Sequence, residues 1–263
     1  MNTGLQGKVV LITGGSKGIG KAAAHAMALE GARLAICARD ERQLQLAADE
    51  IQAQTKADLI AVKANLTKLN DIKRFVDTAV KKFNRVDVLV NNAGGAHIGG
   101  IFTTTDEDWE YHIQLKLLGY IRMAREVVPH MKAAGGGKII NVVGMTSKEL
   151  NPLYMVPGVT NAALVNFTKS LSKELEKDKI LVNSVNPTTT DTPLTEETFK
   201  QLAVAREQTP EAVRQSLVAS MPQGRLATAE DIANVIIFLA SQAASFVNGI
   251  SINVDSGKSL AVW

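Results

Sequence analysis

KVVLITGGSKGIG, residues 8–20, joins a short run of aliphatic residues directly to a glycine-rich turn. The apolar part is too short for a core helix and is apolar at successive positions, the pattern of a strand buried on both faces. In TGGSKGIG (13–20), Gly14 permits a tight turn, Gly18 lets the backbone approach a pyrophosphate, and Gly20 lets the next helix pack closely. The helix N-terminus adds amide donors and a positive dipole. Strand, glycine turn and helix in that order predict a dinucleotide site, with Ser16, Lys17 and Ile19 beside the glycines.

The same apolar signature recurs outward from this unit. RLAIC (33–37), LIAVKA (59–64), VDVLVNN (86–92), KIINVV (138–143), ILVNSV (180–185) and GISINV (249–254) read as six further strands. Helical spacing separates them, as in Ile113, Leu117, Ile121, Ala124, Val128 and Met131, in Leu164, Phe167, Leu171 and Leu175, and in Ile232, Val235, Ile236 and Leu239. Alternating strands and helices predict an α/β fold: a Rossmann-type, doubly wound, mainly parallel seven-stranded sheet with helices on both faces, as one domain over 1–263. Ligands of such sheets bind beyond the carboxyl ends of the strands. An irregular, partly helical stretch over about 188–223, bracketed by Pro193, Pro210 and Pro222, falls on that side. It reads as a lid over the ligand, with a surface excursion or a subunit contact as the alternative.

Composition narrows the function classes. The 263 residues are 46% hydrophobic and 21% charged, ordinary for a soluble protein with one substantial core. The net charge of +3 comes from 29 basic and 26 acidic residues spread along the chain, without the basic run of a nucleic-acid binder. No window resembles a signal peptide or a membrane span, and the single cysteine, Cys37, excludes an intramolecular disulfide framework. A cytoplasmic protein without membrane or nucleic-acid partners is expected, and no metal-ligand cluster is read.

Beyond the TGxxxGxG loop, NNAG (91–94), NP (186–187) followed by Thr192, and the run GRLATAEDIANVIIFLASQAASFVNGISINVDSG complete a set of motifs. In these the chain resembles the short-chain dehydrogenase/reductase family of NAD(P)-dependent oxidoreductases over nearly its whole length. The resemblance implies a small-molecule substrate and a homo-oligomer, a tetramer built on two long helices and the last strand.

Cofactor choice is read from the end of the second strand. A carboxylate there binds a ribose 2′-hydroxyl, whereas a 2′-phosphate needs positive charge. Ala38 occupies the acid's position, Arg39 follows it, and Lys17 lies in the glycine loop, so NADP(H) is expected over NAD(H). Two solvated surface cations are the alternative. The resemblance further implies that Asn65, in place of an aspartate, accepts from the adenine amino group, with Leu66 beside it. It implies that Asn92, Ala93 and Gly94 lie against the adenosine, and that Pro187, Thr190 and Thr192 frame the nicotinamide, although Thr188 replaces a glycine.

The family's proton relay consists of a Tyr and a Lys at i, i+4 on one helix face, a Ser and an Asn. The run NAALVNFTKSLSKEL fixes the register and puts Pro157 at the Tyr position and Asn161 at the Lys position. Gly144 stands where the Ser would be and Lys116 where the Asn would be. None of Tyr111, Tyr120 and Tyr154 is followed four residues later by a lysine.

Lys116 is the foremost replacement, because a desolvated lysine shifts toward neutrality and can act as an acid, bind an anion or hold ribose. A structural lysine is the alternative. His97, in the loop after the fourth strand, titrates in the useful range, and Tyr154 has the reach to enter the site; a plain surface histidine and a cap residue are the alternatives. Thr146 and Ser147 are further hydroxyls on the loop after the fifth strand, and His112 is expected to be packed and hydrogen-bonded. Three functions follow: an NADP(H)-dependent oxidoreductase with a rearranged relay, acting on a carbonyl, alcohol or conjugated alkene; a catalytically silent NADP(H)-binding sensor or partner subunit; or a non-redox lyase or dehydratase.

Overall fold

The structure is a computed structural model and describes residues 3–95 and 97–260. Seven strands, β1 (Val9–Thr13), β2 (Arg33–Ala38), β3 (Leu59–Lys63), β4 (Val88–Asn91), β5 (Gly137–Val142), β6 (Ile180–Pro187) and β7 (Ser251–Val254), form one sheet. Their order is β3-β2-β1-β4-β5-β6-β7, and every pairing is parallel. The chain winds outward from β1 to β3 and then crosses to β4, so the strand order reverses between β1 and β4. A ligand crevice opens at the carboxyl ends there.

Burial follows the two-residue period of the strands. Val10 and Ile12 of β1 pack with α1 (Gly18–Leu29), α2 (Glu41–Thr55) and α9 (Ala229–Ala240) on one face. Val9 and Leu11 pack on the other with α3 (Leu69–Phe83), α5 (Leu118–Ala133) and α6 (Met155–Glu174). This two-sided burial is why the strands read as unbroken apolar runs. A buried chain from Asn91 through Asn141 to the Thr168 hydroxyl, two bonds of 3.0 Å, fixes β4, β5 and α6 relative to one another.

The helix expected around 113–131 begins earlier and is interrupted. It starts as α4 (Asp106–His112), capped reciprocally by Thr105 and Asp108, passes through a five-residue π turn, Ile113–Leu117, and continues as α5. The extra residue in that turn brings both Leu115 and Lys116 inside, whereas Ile113, Leu117, Ile121 and Val128 end at the half-buried flank. Such insertions recur at functional sites. The stretch after β6 folds into α7 (Pro193–Arg206) and α8 (Pro210–Ala219), each opening on a proline that follows a capping threonine. Phe199, Leu202, Val213 and Met221 form their own apolar cluster, against which Ile98, Leu153 and Tyr154 pack. Among the described residues, no helix is long and apolar enough to cross a membrane.

Candidate active site

The glycine turn forms the floor of the crevice. Thr13 ends β1, and its hydroxyl accepts from the backbone N–H of both Asn92 (2.9 Å) and Ala93 (3.0 Å). The Asn92 side chain donates back to the Thr13 and Gly14 carbonyls at 3.0 and 3.2 Å. The end of β4 is thereby stitched to the turn after β1, bringing Gly14, Asn92 and Ala93 together. A Cβ added at Gly20 would strike the Gly14 carbonyl, so the first turn of α1 can close on the loop only with glycine here. Gly18 faces Thr192, the N-cap of α7, so the stretch after β6 meets the loop directly. Ser16 and Ile19 complete the turn, half-buried, and the α1 N-terminus has no side-chain cap to compete for its amides. This cradle fits a dinucleotide pyrophosphate.

At the adenosine end, Lys17 is exposed and makes no ion pair among the described residues. Arg39 donates to the Tyr111 hydroxyl and lies 5.9 Å from the centre of its ring. Asp40 is turned away: its carboxylate caps α2 by accepting from Gln43 N at 3.0 Å. One expected contact needs correction. The Asn65 side-chain oxygen already accepts from the Thr67 amide (3.1 Å) and hydroxyl (3.0 Å), so both lone pairs are engaged locally, and only its NH₂ is left to face adenine. Leu66, which sends its side chain into the core, keeps its backbone for a ligand, so its expected place beside the adenine is not altered.

On the opposite side of the crevice, Lys116 is 9% exposed and donates to the Val143 carbonyl at 2.6 Å. Its side chain runs past Gly94, since a Cβ there would lie 3.6 Å from Lys116 Cδ. Burial pushes its amine down to about 7. Gly144 follows Val143 with φ +135, and a Cβ added to it would sit 2.9 Å from the Asn161 amide nitrogen. That amide donates to the Thr146 hydroxyl at 2.8 Å, while the Asn161 side-chain oxygen, buried, has no partner. Asn161 therefore fills the space that a side chain at 144 would need. Pro157 is buried in the first turn of α6, where its missing N–H has no intrahelical role.

The histidines form a separate group. His97 Nε2 lies 3.4 Å from the Asp108 carboxylate, and its ring meets the His112 ring edge-on at 5.9 Å. His112 is buried as expected, but its Nδ1 has no hydrogen-bond partner. Burial first, then His97 and Lys116, push it down to about 4, so it is neutral at neutral pH. Tyr154 does not join Lys116. It precedes α6 and packs in the α7–α8 cluster, where burial raises its phenol against an opposing pull from Arg206. Pro187 ends β6; Thr190 is buried and spends its hydroxyl on the Thr188 carbonyl at 2.8 Å, and Thr192 caps α7, so neither threonine hydroxyl is idle. Sequence reasoning gave Thr13 no role of its own and weighed Tyr111 only as a relay tyrosine, not as a partner of Arg39. The first was signalled only by its place before the glycines, the second by nothing.

Known proteins match along the whole chain. A family profile described as enoyl-(acyl carrier protein) reductase matches residues 14–259. The 3-oxoacyl-[acyl-carrier-protein] reductase FabG of Thermotoga maritima is 35% identical over 259 residues, covering 96% of this chain and 98% of that relative. The L-sorbose reductase of Gluconobacter frateurii, solved with NADPH and L-sorbose, superposes with a TM-score of 0.93 at 33% identity over 100% of both chains. The 3-ketoacyl-(acyl-carrier-protein) reductase of Brucella melitensis, solved with NADH, superposes with a TM-score of 0.86 at 32% identity over 97% of this chain and 100% of that one.

Proposed function

We propose that this chain, which belongs to the short-chain dehydrogenase/reductase family, is an NADP(H)-dependent oxidoreductase whose proton relay runs through Lys116 rather than through a tyrosine and lysine on α6. The observation that carries this reading is the Lys116 amine, buried against Gly94 and bonded to the Val143 carbonyl, with its proton held near neutrality. A dinucleotide whose pyrophosphate is held by the cradle would supply a hydride from its nicotinamide. Everything else falls to the chain's own groups. Lys116 in its ammonium form gives a proton to the oxygen or carbon of the reduced substrate and takes one back in oxidation. The Thr146 hydroxyl accepts from Asn161, which leaves its own proton free to hold a substrate oxygen. His97 faces the Asp108 carboxylate, with Nε2 at 3.4 Å, and is given no step in this relay.

Arg39 and Lys17, neither paired with an acid among the described residues, support a 2′-phosphate and hence NADP(H). The relatives solved with NADPH and with NADH leave that choice to measurement. Residues 188–223 read as a lid, since Thr192 reaches Gly18 while α7 and α8 pack on Ile98 and Tyr154. The half-buried row Ile113, Leu117 and Ile121 supports a homo-oligomer, a tetramer on the family's pattern, which light scattering tests. Burial pushes the Cys37 thiol up to about 12, an inert thiol suited to the cytoplasm.

A silent NADP(H) binder is the second reading, favoured by the diversion of Tyr154 into the α7–α8 cluster. NADPH fluorescence on titration, followed by NADPH oxidation against a panel of ketones, aldehydes and enones, separates the two. Binding with turnover supports the enzyme, binding without turnover the silent form, and no binding at millimolar cofactor removes both.

A further inference from the structure

The contact between Arg39 and Tyr111 joins two segments 72 residues apart, the turn after β2 and helix α4. Both side chains are exposed, and among the described residues no acid pairs with the guanidinium, although Asp40 and Glu41 follow it directly. Asp40 caps α2, and Glu41 lies 3.4 Å from the Lys63 amine. The guanidinium spends one N–H on the phenol oxygen, and its remaining donors make no other side-chain hydrogen bond among the described residues. The phenol, as acceptor, keeps its own proton to donate.

We propose that Tyr111 is a positioning residue for the adenosine 2′-phosphate of the cofactor, holding the Arg39 guanidinium in place so that NADP(H) is chosen over NAD(H). This deepens the cofactor reading above and rests on it. The physical ground is conformational. A free surface arginine loses rotamer freedom when it clamps a phosphate, and an arginine already hydrogen-bonded to a neighbouring side chain loses less. An aromatic ring beside a guanidinium leaves its planar fork open for bidentate contact with an anion.

The test is binding, which needs no substrate. Dissociation constants are measured for NADPH, NADH, adenosine 2′,5′-bisphosphate and AMP with the wild type, Tyr111→Phe, Arg39→Ala and the double variant. With one charge-assisted hydrogen bond removed, Tyr111→Phe should weaken NADPH and the bisphosphate about 5- to 10-fold. NADH and AMP should stay within about twofold, as for an ordinary surface change. In the Arg39→Ala background the same substitution should have no further effect.

Unchanged or tighter NADPH binding in Tyr111→Phe overturns the proposal, because Tyr111 is then only where Arg39 rests. Equal weakening of NADPH and NADH overturns it as a general structural effect. A full effect that persists without Arg39 overturns the positioning role. A wild type that binds NADH as tightly as NADPH instead removes the NADP(H) reading beneath it.

Discussion

The two walls of the crevice lie on one edge of one sheet, yet they are assembled differently. The cofactor wall is built from backbone: the glycine turn, the amides of Asn92 and Ala93 on Thr13, and the open N-terminus of α1. The opposite wall is built from side chains brought from three distant segments: Lys116 on the π turn, Gly144 and Thr146 after β5, and Asn161 on α6. The first depends on small residues and resists substitution. In the second the polar groups depend on one another, since Asn161 fits because position 144 is glycine. On the proposed reading, the reaction chemistry of such a fold is replaced as a set while its binding surface stays.

Substitutions on each wall should separate the two. The largest effect is expected for Lys116→Met. It should lower kcat by about 10²- to 10⁴-fold, the span of a lost general acid, with NADPH affinity retained. Equal loss of turnover and cofactor affinity would instead make Lys116 a structural residue.

Next comes Gly20→Ala, which forces a methyl into the Gly14 carbonyl. The strain should weaken NADPH binding about 10- to 100-fold by fluorescence titration. Wild-type affinity in that variant would mean that the cradle is not the cofactor site.

A smaller change is expected for Gly144→Ser, which places the serine that the family resemblance implies but meets the Asn161 amide and strains a backbone at φ +135. It should destabilise by about 1–3 kcal/mol, seen as a lowered Tm, and the addition of Asn161→Ala should recover part of that loss. Strict additivity of the two would break the claim that these positions are coupled. The smallest effect belongs to Tyr154→Phe, which should leave kcat within about twofold because the phenol lies in the α7–α8 cluster and away from Lys116.

The same contrast explains what could be read from the chain. The cofactor wall is local in sequence: TGGSKGIG and NNAG carry their geometry in consecutive residues, and two-sided burial of β1 to β7 makes the sheet visible as short apolar runs. The other wall is read only as replacements, because contacts such as Asn161 to Thr146 and Lys116 to Val143 join residues 15 and 27 positions apart. The π turn escaped because a one-residue insertion keeps the apolar spacing and alters only which residues face inward, so that Ile113 and Leu117 ended on the flank and Lys116 inside. Asn65 shows the converse: its residue type suggested an adenine acceptor, but an asparagine two residues before a threonine closes its own turn.

The central claim is that Lys116 is the acid of this site. It is tested most directly by the pH dependence of kcat for NADPH-dependent reduction in the wild type and in Lys116→Met. A group that must be protonated, and whose proton is held near 7, gives full activity below neutrality. The wild-type rate should then fall about tenfold per pH unit above about 7, while the residual rate of Lys116→Met loses that inflection. A profile flat from neutrality to the ordinary lysine range, or the same inflection retained in Lys116→Met, would contradict the account.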